Sequence, residues 1–92
     1  MEWKLFADLA EIVGDKRVTV DVEAGSTVGD ALDALLADNP ELEERVLTEE
    51  GELQEHIMLL RNGTNVFVER EGLATSTSDG DELALFPPVS GG

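Results

Sequence analysis

One helical stripe narrows the folds open to this chain more than any other feature. Val28, Ala31, Leu32, Leu35 and Leu36 recur at helical spacing between Val28 and Asp38, while Asp30, Asp33 and Ala34 fall on the outward side. Thr27 stands where an N-cap belongs, and Asp30 three residues on nearly completes a capping box. Asn39-Pro40 stops the helix, because the residue before a proline is pushed out of the helical region. A stripe of this width needs a flat apolar partner. An α+β roll, in which four or five strands are covered on one face by one main helix, supplies it.

The flanking segments read as those strands. Glu2 to Ala7 opens the chain, with Trp3 and Leu5 alternating with Lys4 and Phe6. A connection from Asp8 to Lys16 carries Leu9, Ile12 and Val13 and closes on Gly14-Asp15. Arg17 to Val22 alternates cleanly, placing Val18, Val20 and Val22 on one face. Ala24-Gly25 marks a turn into the helix, and beyond it Glu41 to Gly51 reads as a short helical turn and exposed loop anchored by Leu42, Val46 and Leu47. His56 to Arg61 is an apolar inner strand. Asn62-Gly63 is the preferred pair for a type I′ hairpin, and Thr64 to Val68 returns with Val66 and Val68 inward. Glu71 to Asp81 is polar and turn-rich. Glu82 to Phe86 is the last strand, ended by Pro87-Pro88. With the first and last strands side by side at the centre, this is the order of a β-grasp domain over residues 1–86, followed by a flexible tail over 87–92.

At 92 residues there is room for one domain and one core, and not for an enclosed catalytic cavity. The charge excludes further classes. Six Lys and Arg against 21 Asp and Glu give −15, so no basic stripe exists for nucleic acid or an anionic membrane. Acid spread along the whole chain, with only Lys4 and Lys16 as lysines, favours a halophilic cytoplasm over an acidic mesophilic domain with a basic partner. Cysteine is absent, removing thiol nucleophiles and Cys-based zinc sites. Met1-Glu2-Trp3-Lys4 lacks the layout of a signal peptide, and no apolar run approaches the roughly 18 residues of a membrane span. A cytoplasmic monomer is expected.

The tail carries the chemistry. Pro87-Pro88-Val89-Ser90-Gly91-Gly92 holds no charged side chain; its prolines favour an extended backbone projecting from the sheet, and its glycines can thread a slot too narrow for side chains. That geometry suits a carboxylate presented to another protein's active site. The stretch from Asp81 to Gly92 resembles the C-terminal signature of the MoaD family of sulfur carriers, relatives of ThiS and ubiquitin. Leu5-Phe6-Ala7, Val28-Gly29-Asp30-Ala31-Leu32 and Leu60-Arg61-Asn62-Gly63 sit in matching order, so the resemblance spans nearly the whole chain. With its acidity, the sequence is similar to the small archaeal modifier proteins of haloarchaea.

The resemblance implies that Gly92 is adenylated by a separate ubiquitin-activating-type enzyme, similar to MoeB or ThiF, that uses ATP. The domain itself binds no cofactor and is not an enzyme. A lysine amine of a target protein then forms an isopeptide bond, the sampylation reaction, which a JAMM-type protease would reverse. The alternative fate is a C-terminal thiocarboxylate that donates sulfur to molybdopterin, in molybdenum cofactor biosynthesis, with a MoaE-type subunit. Gly91, Ser90, Val89, Pro88 and Pro87 would be read as the tail, and Phe86 and Phe6 match family positions that contact the activating enzyme. Core packing is the competing role for both rings. An adaptor whose Gly-Gly end is incidental is a third reading.

Self-conjugates, if formed, have Lys16, Lys4 and the Met1 amine as acceptors, with Lys16 the more accessible. No metal site is expected: His56 is the one histidine, and Glu49-Glu50-Gly51-Glu52 and Asp79-Gly80-Asp81-Glu82 match no calcium-loop spacing. Both acidic stretches read as solvated turns.

Overall fold

A computed structural model of the chain describes residues 1–23, 25–54, 57–68, 71–78 and 80–87. Five strands, β1 (Glu2–Leu5), β2 (Arg17–Thr19), β3 (Met58–Arg61), β4 (Thr64–Asn65) and β5 (Glu82–Phe86), form one mixed sheet in the order β2-β1-β5-β3-β4. β1 and β5 run parallel at its centre, with Leu5 opposite Leu85; every other pairing is antiparallel. This is the expected β-grasp order, with the first and last strands adjacent.

The main helix, α2 (Val28–Asp38), has the bounds its stripe predicts. The Thr27 hydroxyl accepts from the Asp30 N–H at 3.1 Å, and the Asp30 carboxylate accepts from the Thr27 N–H at 3.0 Å, completing the capping box. An 11-residue helix is marginal alone in water. Tertiary burial holds it: Val28, Ala31, Leu32, Leu35 and Leu36 are buried against Trp3, Leu5, Leu59, Leu83 and Leu85 of the sheet. Fully burying each such leucine contributes about 1.5–3 kcal/mol. Trp3 also donates its indole N–H to the Ala31 carbonyl at 3.2 Å, so the buried ring leaves no orphan donor. Ala34, expected outward, is half-buried and packs on the core margin.

Four further expectations, about the bounds and faces of elements, need correction. Asp8–Val13 is not a plain connection but a helix, α1: Leu9 is fully buried, Val13 packs against the core, and Gly14 at φ 86° closes the turn with a hydrogen bond to the Ala10 carbonyl. The opening strand ends at Leu5, because Ala7 at φ 53° turns the chain into α1. The second strand is three residues long: its register with β1 runs from Arg17 to Thr19, and beyond it the Val20 N–H bonds to the Met1 carbonyl. Val20 is still buried and Val22 half-buried on the expected face. Finally, Val68 is 81% exposed rather than inward. Asn65 ends β4 by accepting the Phe67 N–H on its side-chain oxygen and the Val68 N–H on its carbonyl, a turn in which Val66 alone stays in the core.

Beyond α2, a 3₁₀ turn (Pro40–Leu42) and a short helix, α3 (Glu43–Val46), bury Leu42 and Val46 as anchors, with Leu47 half-buried. The polar stretch after β4 holds a second 3₁₀ turn, Gly72–Ala74, which straps the start of α2. The Val28 N–H donates to the Thr75 carbonyl, and the Thr77 N–H and hydroxyl both donate to the Ser26 carbonyl. Gly29 permits this approach, because a Cβ there would sit 3.2 Å from the Leu73 carbonyl oxygen.

Candidate functional site at the end of the sheet

β5 ends at Phe86, and Pro87, the first residue of the expected tail, follows it directly. Because Trp3, Leu5, Leu83, Leu85 and Leu59 point into the core, the intervening residues of the central strands face away from α2. The parallel register that pairs Leu5 with Leu85 places Phe6 next to Phe86. Their rings stack with centroids 4.0 Å apart and planes inclined by 10°. On the other flank Met58 pairs with Phe86 in the antiparallel register. Phe6, Phe86 and Met58 thus make an apolar row across the outer face, with Phe6 37% and Met58 43% exposed. Lys4, Ala84 and Leu60 form the row behind it.

The competing core role for Phe6 and Phe86 is not what the fold gives them, since neither ring belongs to the buried cluster. Met58 is the member that sequence reading missed. The run Ile57 to Leu60 is apolar at every position, so its pattern carries no period to say which residues face out; only the pairing with β5 decides it.

The opposite end of β5 is tied down. The Asp81 carboxylate accepts from Arg61 Nε at 2.8 Å, Asn62 Nδ2 at 2.9 Å and the Ser78 N–H at 2.7 Å. Asn62 also accepts the Glu82 N–H on its side-chain oxygen and donates its own N–H to the Glu82 carbonyl. These bonds, led by that from Asn62, hold the Asp81 carboxyl below its usual pKa of 3.8, outweighing the opposing effect of burial. Asn62 and Gly63 take φ values of 50° and 84°, the positive pair a type I′ hairpin requires. Asp81 is therefore a structural clamp rather than part of an open, solvated turn. The other acidic turn, Glu49 to Glu52, is exposed as expected.

Of the two lysines, Lys16 is exposed on the connection into β2, whereas Lys4 pairs with Glu82 at 3.1 Å. Among the described residues no helix is long and apolar enough to cross a membrane. Five of the residues expected to act, Pro88, Val89, Ser90, Gly91 and Gly92, lie outside the described residues, as do His56 and Asp79. Pro87 is half-buried directly after Phe86.

A family model described as the ThiS family matches residues 3–92. Small archaeal modifier protein 1 of Haloferax volcanii is 60% identical over 92 residues, the full length of both chains. The crystal structure of SAMP1 from Haloferax volcanii superposes with a TM-score of 0.90 at 59% identity, covering 100% of this chain and 98% of that one. A chain from the crystal structure of the Amycolatopsis orientalis BexX/CysO complex matches with a TM-score of 0.79 at 27% identity, covering 99% of this chain and 98% of that chain.

Proposed function

The chain belongs to the ThiS family, and from that premise we propose that it is a ubiquitin-like protein modifier whose Gly92 carboxylate is activated and joined to lysines of target proteins. A carboxylate is a poor acyl donor. Attack of its oxygen on the α-phosphorus of ATP gives an acyl adenylate and releases pyrophosphate; attack of a lysine amine on the acyl carbon then forms the amide, expelling AMP and a proton. No Gly-rich phosphate loop with a lysine occurs in this sequence, so a separate enzyme of the MoeB or ThiF type supplies the ATP site. The domain supplies the handle and the reach, with Gly91, Ser90, Val89, Pro88 and Pro87 read in the enzyme's channel. Phe6, Phe86 and Met58, an apolar row beside the root of the tail, fit the surface on which that enzyme docks. The working compartment in this reading is a halophilic cytoplasm.

The observation that carries this reading is the full-length 60% identity to a small archaeal modifier protein. The match to the ThiS family model favours a second fate of the same adenylate, in which a hydrosulfide-level sulfur donated by a partner attacks the acyl carbon and expels AMP, leaving a thiocarboxylate for a MoaE-type partner. Both fates need a free carboxylate at Gly92, and the reverse reaction would fall to a JAMM-type protease.

No Lys or Arg follows Arg70, so trypsin would leave residues 71–92 on a modified lysine, which a search for diglycine remnants misses. Replacing Ser90→Arg shortens the remnant to Gly91-Gly92. Diglycine-tagged lysines in host lysate that vanish when Gly91 and Gly92 are deleted are the expected result. Their absence, with an intact mass showing sulfur in place of oxygen at the C-terminus, would select the carrier. Extending the chain by one residue beyond Gly92 abolishes either activity and spares an adaptor.

A further inference from the structure

Between the end of β1, helix α1 and the start of β2 lies an open groove of about 530 Å³. Lys4, Lys16 and Arg17 line it, together with Phe6, Ala10 and the single acid Glu11. Half of the six cationic side chains of a −15 molecule therefore converge on one groove; Lys4 is held by Glu82 at 3.1 Å, so Lys16 and Arg17 are the two that can meet an incoming carboxylate. It shares Phe6 with the apolar row, so the two surfaces are continuous.

We propose that this groove binds an acidic segment of the partner protein that handles the tail, one in which carboxylates alternate with apolar side chains. The inference rests on the modifier or carrier reading only for which partner brings the segment. Charge complementarity gives the sign of the occupant. Arg17 Nη1 reaches Glu2 at only 3.4 Å and the Arg17 side chain is 62% exposed, which leaves its fork open to a carboxylate; Lys16 has no ion-pair partner among the described residues. A phosphate fits less well, because such sites use converging backbone N–H groups. Here the Leu5 N–H is committed to the Lys16 carbonyl at 2.8 Å, and the Arg17 N–H to the Asp15 carboxylate at 3.2 Å. At molar salt the Debye length is about 3 Å, so only direct ion contacts survive and apolar contacts carry more of the affinity. Phe6 and Ala10 provide those contacts within the groove, hence the alternating pattern.

The test titrates the full chain, observed by amide NMR, with the blocked peptide Glu-Leu-Glu-Phe-Glu and with its Gln-for-Glu counterpart, and separately with inorganic phosphate. Shifts confined to residues 4–7, 10–11 and 16–17 with the acidic peptide are expected. Lys16→Gln combined with Arg17→Gln lowers its affinity about three- to tenfold. Ala37→Glu, on the exposed side of α2, lowers the net charge without touching the groove and leaves binding unchanged. Equal binding of the Gln peptide or of phosphate, or an equal loss with Ala37→Glu, overturns the proposal. Deleting Gly91 and Gly92 abolishes conjugation in the functional reading yet leaves peptide binding intact, so the two readings fail separately.

Discussion

Asp81 is the residue on which one end of the sheet depends. Its carboxylate gathers three donors from Arg61, Asn62 and Ser78 while 9% exposed, and those bonds lower its pKa. A depressed folded-state pKa adds stability that is full above the unfolded value near 3.8 and is lost as pH falls through it toward the folded value. Asp81→Asn should therefore be less stable than wild type at pH 7, by about 1–3 kcal/mol for a charge-assisted bond lost at a buried site, and the difference should shrink below pH 4 in urea titrations. A difference independent of pH would mean the charge contributes nothing. Phe6 and Phe86 separate docking from packing: the stack is worth about 0.5–1.5 kcal/mol beyond the area it buries, so Phe86→Ala should lower the unfolding midpoint only modestly. A docking ring that is an anchor costs about 2 kcal/mol or more, roughly 30-fold, in kcat/KM for adenylation. The aromatic pair was legible as two positions of interest, through a family resemblance. Asp81 as a clamp was not, because its partners arrive from a hairpin some 20 residues away in sequence.

Elements whose stabilising partners lie nearby in sequence were the readable ones. α2 carries its stripe, cap and stop within 14 residues, Thr27 to Pro40, and β5 is bounded by a turn and a proline. Thr27→Ala removes the acceptor for the Asp30 N–H and should cost about 1 kcal/mol, measured as a lower denaturation midpoint with an unchanged slope. The strap from Leu73 to Thr77 still covers the Val28 N–H, so the helix should persist. The errors came where a short element depends on what lies beside it. Leu9, Ile12 and Val13 have helical spacing, yet six residues are too few to announce a helix until Gly14 takes its left-handed conformation. Val68 sits in phase with Val66, but Asn65 breaks the strand before the alternation reaches it.

Across the whole molecule, charge is the term that is out of balance. Lys4, Arg17, Arg45 and Arg61 each already face a carboxylate, so most of the 21 acids lack a cation among the described residues. Screening that repulsion should raise the unfolding midpoint steeply from low to molar salt, each kcal/mol recovered being worth about 4–8 °C in a domain of this size. Exposed ion pairs such as Arg17 with Glu2 are weakened by the same salt but contribute little to begin with. A midpoint that stays flat to molar potassium chloride would remove the halophilic assignment.

The parallel pairing of β1 with β5 has a mechanical meaning. A pull between the start of β1 and the root of the tail slides the two strands along each other, so the hydrogen bonds from Glu2 to Leu5 are loaded together in shear. The antiparallel β3 and β4 hairpin would instead open one bond at a time from its end. Force spectroscopy along the terminal axis should accordingly meet a high rupture force, higher than for a pull across the hairpin. A motor drawing on a joined target through this tail would pull against the strongest axis of the fold.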